Sequence, residues 1–179
     1  KRRDTYVKKG QTVAGMRVIP LVISKEKMKK AEEAAGSRPF LSVLPCLPKK
    51  AAILATGSEV FKGRIADTFT PVVAEKLESF GCTIMDHKVL DDDSGAETAE
   101  ILREINEGAE LVCLTGGMSV DPDDKTPLAI KNTGAEVISY GAPVLPGAMF
   151  MLAYYHTTAA DGTEKIVPIV GLPGCVMYA

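Results

Sequence analysis

Three times in this chain a short apolar run ends abruptly on glycine. Ala51–Ala55 precedes Thr56-Gly57-Ser58-Glu59, Leu111–Leu114 precedes Thr115-Gly116-Gly117, and Ile166–Val170 precedes Gly171-Leu172-Pro173-Gly174. Apolar runs of this length, without polar alternation, read as strands covered on both faces, as in parallel sheets. In such sheets ligands sit in the crevice beyond the carboxyl ends of the strands. Glycines there let the backbone approach a ligand and present its N–H groups. The second turn is followed by Asp121-Pro122-Asp123-Asp124 and then by Thr126-Pro127, a helix start. Carboxylates beside an anion site call for a divalent cation, because like charges otherwise repel. Together these segments predict a Mg²⁺-assisted site for a phosphate-bearing ligand.

Helical patterns separate the runs. Phe69, Val72, Val73, Leu77 and Phe80 recur at helical spacing and Gly81 stops them. Thr83–Leu90 reads as a strand. Ser94 to Glu97 forms a capping-box pattern ahead of Ile101, Leu102 and Ile105. A helix over 126–132, a strand over 136–140 and a hairpin around Asp161-Gly162 complete the series. The order predicts an α/β fold: a three-layer, doubly wound, mostly parallel sheet with an antiparallel edge hairpin. Before it, residues 1–48 read as a small β-rich segment, with pieces around Val7, Val13 and Arg17–Ile23, and a short helix over 25–35. Pro39, Pro45 and Pro48 make that segment's exit an extended linker. The expected domains are 1–48 and 49–179, and the chain reads as a piece of a longer polypeptide.

The formal net charge of −2 conceals an asymmetry. Residues 1–50 carry 13 Lys and Arg against 4 Asp and Glu, and residues 51–179 carry 8 against 19, so +9 is set against −11. Lys25–Lys30 runs into Ala-Glu-Glu-Ala-Ala, a solvated helix face, and no aromatic-basic interleaving accompanies the basic runs. No nucleic-acid partner is expected. No apolar run reaches the roughly 18 residues that span a bilayer. Cys46, Cys82, Cys113 and Cys175 show no metal or disulfide spacing, so a reducing cytoplasm is expected.

Taken singly, each motif has an ordinary structural reading: Gly-Gly is common after strands, Asp-Pro-Asp-Asp is usually a solvated turn, and Glu59 could cap a helix. Taken in order, from about Ala51 to Gly174, they resemble the molybdopterin-binding domain of molybdenum-cofactor biosynthesis. Thr56-Gly57-Ser58-Glu59-Val60 is similar to the family's T-G-D/N-E-L turn, and Gly63-x-Ile65-x-Asp67 to its G-x-I-x-D segment. Leu114-Thr115-Gly116-Gly117-Met118-Ser119-Val120 resembles its S/T-G-G-x-S-V/G loop, with Asp124 at the loop Asp. Pro146-Gly147 and Gly171-Leu172-Pro173-Gly174 resemble its P-G-K-P and G-L-P-G-N turns. Residues 5–23 are similar to part of the additional domain of the molybdotransferase (MoeA/gephyrin E-type) branch.

The resemblance implies molybdopterin or its adenylylated form as ligand, with Mg²⁺, molybdate as co-substrate, and a homo-oligomer, dimer or trimer. It implies a binding role for Thr56, Gly57, Ser58, Thr115, Gly116, Gly117, Met118, Ser119, Pro146, Gly147, Leu172, Pro173 and Gly174, with Asp67 orienting the first loop. Glu59 and Asp124 would be catalytic and would, with Asp123, serve the metal. Three departures weaken the enzymatic implication: Leu145, Ala148 and Cys175 stand where that branch has a basic residue, Lys and Asn. Two alternatives follow. The Gly63–Thr68 and Pro122–Thr126 segments also resemble the competence-damage (CinA) branch, a Mg²⁺-dependent nucleotide pyrophosphatase of the same fold. A carrier or sensor that binds the pterin without transforming it is the other.

Overall fold

The computed structural model describes residues 5–15, 17, 19–39, 41–119, 121, 123–159 and 161–178, in two compact units, 1–44 and 45–179. In the first unit the regular element among described residues is helix α1 (Lys25–Ala35), capped by Ser24, whose hydroxyl accepts from the Lys27 N–H. Among the described residues no strand forms around Val7 or Val13 or at residues 17 and 19–23, where strands are expected. Ile19, Leu21 and Val22 are exposed instead. β propensity alone does not make a strand, which also needs ladder pairing and burial of one face. Met16, Val18 and the Lys1-Arg2-Arg3 cluster lie outside the described residues.

The second unit is a six-stranded sheet: β1 (Lys50–Thr56), β2 (Thr83–Leu90), β3 (Leu111–Thr115), β4 (Glu136–Tyr140), β5 (Met151–Thr158) and β6 (Glu164–Leu172). The helices are α2 (Ser58–Phe61), α3 (Phe69–Ser79), α4 (Ser94–Asn106) and α5 (Thr126–Asn132), followed by a 3₁₀ turn (Gly174–Met177). The strand order is β2-β1-β3-β6-β5-β4. The pairs β1–β2, β1–β3 and β3–β6 are parallel, while β5 runs against both β6 and β4. The antiparallel strands therefore occupy one edge. The hairpin is spliced in beside β3 through β6, and β4 is the outermost strand.

Alternation along the strands divides the interior into two layers. Ala52, Leu54, Val112, Leu114, Val167 and Ile169 face α4 and α5, where they pack with Ile101, Ile105 and Ile130. Ile53 and Cys113 point the other way, onto Val73 and Leu77 of α3. The chain leaves β1 leftward through α3 and returns rightward through α4, so right-handed crossovers place those helices on opposite faces. Among the described residues no helix is long and apolar enough to cross a membrane.

The start of α4 departs from the capping-box expectation. Asp93 is the cap, accepting from the Ala96 N–H at 2.7 Å, so the helix begins one residue earlier than Ser94 would dictate. Glu97 lies on the inward face of this helix with Ile101, Glu104 and Ile105, and the residue is 1% exposed. Burial pushes both Glu97 and Glu104 up to about 7 from an ordinary value near 4.5. A carboxyl whose pKa is raised by folding contributes stability that is full below its unfolded value and lost as pH rises through the folded one. The thermal midpoint is accordingly expected to fall as pH rises from about 5 to about 8, and Glu97→Gln should flatten part of that slope. A midpoint that climbs across this window would contradict the assignment.

Candidate functional site

The carboxyl ends of all the parallel strands converge on one rim. β1 and β3 sit at its centre, and their outgoing connections diverge to opposite faces, the arrangement that opens a crevice in doubly wound sheets. An open cleft of about 650 Å³ lies there. One wall is the β1 turn, with Thr56, Gly57, Ser58, Glu59 and Val60, extended by Ile65 and Phe69; the opposite wall is Gly117, Asp121, Asp123, Asp124 and Lys125, and Asp92 closes the end beneath β2.

The glycines are where the two turns meet. A Cβ on Gly116, at φ 90°, would lie 2.1 Å from the Thr56 carbonyl oxygen, and one on Gly117, at φ 52°, 2.8 Å from Thr126 Oγ1. The turns are thus pressed together until only glycine fits. Threonine hydroxyls join them: Thr126 Oγ1 donates to the Gly116 carbonyl at 3.0 Å and lies 3.2 Å from Thr56 Oγ1, which is 3.4 Å from the Thr115 carbonyl oxygen. Below this knot Gly171 leaves room for Met118, whose sulfur would be 2.7 Å from a Cβ at that position.

Of the residues singled out by sequence, Thr56, Gly57, Ser58, Glu59, Gly117, Asp123 and Asp124 line the cleft. Gly116 and Thr115 lie under it, Thr115 almost fully buried. The Met118 side chain is packed in the core, so only its backbone can face a ligand. Ser119 donates its N–H to Asp124 Oδ2, which pins the acidic loop to the Gly-Gly turn. Asp67 stands apart, one residue before the Thr68 cap of α3, and accepts from the Phe69 and Thr70 N–H groups at 2.9 and 3.0 Å. Pro146 and Gly147 belong to the β4–β5 loop, and Leu172, Pro173 and Gly174 to the end of β6. Both lie on the same rim of the sheet but outside the cleft wall. Cys175 is in the 3₁₀ turn. Val120 and Pro122 lie outside the described residues.

Sequence reasoning passed over Asp91 and Asp92. Ser58 donates its N–H to Asp92 Oδ2 at 2.8 Å, and its hydroxyl is 2.6 Å from Asp91 Oδ1 and 2.9 Å from Asp92 Oδ2. The Ser58 hydrogen bond holds Asp91 below the usual carboxylate range. These two residues follow a strand, so the rule that selected Thr56 and Gly116 would also have selected them. Phe69, expected in the helical pattern, opens α3 and also offers an apolar surface to the cleft.

The electrostatics are lopsided: Glu59, Asp92, Asp121, Asp123 and Asp124 face a single Lys125. Among the described residues no three acidic, histidine or cysteine side chains converge tightly enough to cage a metal ion. Mg²⁺ seldom needs such a cage, because it keeps several waters and takes one or two carboxylates together with phosphate oxygens. The donor set fits a hydrated ion that arrives with a phosphate.

A family model described as "Probable molybdopterin binding domain" matches residues 52–179. A protein of Bacillus cereus (strain AH187) designated competence-damage inducible is 30% identical over 115 residues, which is 64% of this chain and 27% of that relative. The chain thus spans about a quarter of the length of such curated relatives. The tungsten cofactor synthesizing protein MoaB from Pyrococcus furiosus superposes with a TM-score of 0.57 at 22% identity, over 72% of this chain and 84% of that one. CinA from Thermoplasma acidophilum gives 0.55 at 18% identity, over 71% and 89%. At these identities the structures speak for the fold, the same mostly parallel sheet, and the family model speaks for descent. This chain belongs to the molybdopterin-binding domain family of molybdenum-cofactor biosynthesis.

Proposed function

We propose that the cleft binds molybdopterin or its adenylylated form together with Mg²⁺. The observation that carries this reading is the pairing of a glycine turn, too tight for any side chain, with an acidic wall that no anionic ligand could approach unaided. Glu59, Asp123 and Asp124 would hold the cation, and Mg²⁺ when bound supplies the positive charge that a phosphate needs there. The Gly116-Gly117 backbone positions the phosphate end, and the apolar surface of Ile65 and Phe69 accepts the fused ring. Asp67 keeps α3, and with it Phe69, in place.

We place the chain nearest the molybdotransferase branch, with residues 1–48 as a separate module and a homo-oligomer as the working assembly in the cytoplasm. Molybdate insertion would be inefficient here: Leu145, Ala148 and Cys175 offer no cation for the charge that develops during oxyanion transfer. The competence-damage relatives support a second reading, a Mg²⁺-dependent nucleotide pyrophosphatase, for which the same acidic wall would serve a pyrophosphate.

Calorimetric titration separates these readings. Molybdopterin should bind with Mg²⁺ and poorly without it, and ADP-ribose should bind weakly and remain intact. Asp124→Asn removes the charge but keeps an oxygen that can accept from the Ser119 N–H, so it should lower molybdopterin affinity about tenfold or more, roughly 1.4 kcal/mol, at a nearly unchanged thermal midpoint. Tight ADP-ribose binding with hydrolysis would favour the pyrophosphatase. Unchanged affinity in Asp124→Asn would reduce the acidic turn to a solvated loop.

A further inference from the structure

Beneath the cleft, and lining none of it, sits a carboxyl that neither the fold nor the proposed ligand explains. Glu97 occupies an inward position of α4 among apolar neighbours, and its Oε2 has no hydrogen-bond partner. Its carboxyl lies against the hydroxyl of Thr126, itself fully buried at the start of α5. Thr126 is the residue that ties the two glycine turns: it donates to the Gly116 carbonyl, meets Thr56 Oγ1, and fills the space where a Cβ on Gly117 would go.

Counting protons shows what this contact does. A threonine hydroxyl owns one hydrogen, and that of Thr126 is committed to Gly116 O. A neutral Glu97 can donate its own proton to Thr126 Oγ1, which gives an unbroken relay from Glu97 through Thr126 to Gly116. An ionised Glu97 only accepts. Buried away from water, it must then draw the Thr126 hydrogen to itself, and the Gly116 carbonyl loses its partner. We propose that Glu97 is a positioning residue whose proton, passed through Thr126, locks the Gly116-Gly117 turn in its ligand-binding shape, so that ligand binding is coupled to pH.

The charged neighbours define the range. Asp92 and Asp93, just before α4, oppose ionisation, and Lys125 before α5 favours it. On β2, Asp86 and Lys88 are engaged by Arg103 and Glu100, farther along α4. Lys131 of α5 lies over the Tyr140 ring. β1 carries only Lys50, at its far end, and β3 carries no charge. Burial outweighs these charges and pushes Glu97 up to about 7, inside the range a cell can traverse.

The inference rests on the cleft being a binding site, but its first test needs no ligand. In the full chain, the Gly116 and Gly117 amide resonances should titrate with a midpoint near that of the Glu97 carboxyl carbon, and Glu97→Gln, which mimics the neutral acid, should abolish that titration. Thr126→Ser should retain it and Thr126→Val should lose it. If Glu97→Gln does not fold, coincidence of the wild-type midpoints decides. Midpoints that differ, or a titration that survives Glu97→Gln, would overturn the proposal. In a second arm, molybdopterin affinity should fall about tenfold from pH 6 to pH 8 beyond any change seen in Glu97→Gln, as expected when the competent fraction shrinks by that factor. Equal pH dependence in the two proteins overturns the coupling. Titrating amides with no molybdopterin binding at any pH would leave the relay standing and defeat the ligand assignment alone.

Discussion

Gly116→Ala should be the most damaging single-methyl substitution in this domain, lowering stability by roughly 3–5 kcal/mol and abolishing binding in the cleft. The added Cβ would stand 2.1 Å from the Thr56 carbonyl oxygen and 2.7 Å from Thr56 Oγ1. Neither can withdraw cheaply. Thr56 is the last residue of a central strand, in register beside β2 and β3, and the next residue along, Gly57, accepts from α2 while donating its own N–H to Leu90 O. The φ of 90° adds strain of its own for any side chain. Relief must come from moving the whole β3–α5 turn, which breaks the Thr126–Gly116 hydrogen bond and widens the cleft. Chemical denaturation of the wild type and the variant measures the effect. A loss below about 1 kcal/mol would mean that the turns are not held together as described. Gly117→Val acts on the same knot from the other side, where the obstacle is a hydroxyl 2.8 Å away at the start of a helix, so its effect on binding should exceed its effect on stability.

The positions that make Gly116 critical were largely legible in the sequence, for a reason specific to this architecture. A strand buried on both faces announces itself by an unbroken apolar run, and its carboxyl end by the first glycine, so β1, β3 and their turns needed no tertiary information. α5 was visible at Thr126-Pro127 on the same grounds. Other features depend on contacts that no local pattern contains. Nothing in Ile166–Val170 says that β6 will insert beside β3 rather than extend an edge, because that choice is made by pairing over fifty residues away in sequence. No local pattern singles out Asp91-Asp92-Asp93, and its first two members become site residues only because α2 carries Ser58 over to them. Met118 stood within a binding motif, yet the absence of a side chain at Gly171 draws it into the core. Residues 5–23 are β-rich by propensity, yet those described among them form no strand, because propensity by itself does not make a sheet.

Glu97 and Glu104 show the same gap between pattern and packing, and Glu104 leads to the second large effect. Its side chain is fully buried, yet Arg103, the residue before it, turns back to meet it and gathers Asp86, Glu100 and Glu107 around the same guanidinium. Asp86 is held below the usual carboxylate range, and the Arg103 hydrogen bond is the largest of the effects lowering it. Glu104 is pushed up to about 7 by burial even with that cation beside it. Arg103→Met keeps much of the aliphatic packing and removes the charge. The outer pairs with Asp86 and Glu107 are partly solvated and contribute little, but Glu104 would lose the one cation at its carboxyl. Its folded-state pKa should then rise above 7, so the stability it surrenders with increasing pH should go on being lost in mildly alkaline solution, where the wild type has already levelled off. Near pH 5.5 Glu104 is neutral in both proteins and the substitution should cost little. Near pH 8.5 the denaturation midpoint should fall by at least about twice as much. Glu97 titrates identically in the two proteins and cancels from the comparison. A penalty independent of pH would show that Arg103 serves α4 through its surface pairs, and that Glu104 finds another donor once it is gone.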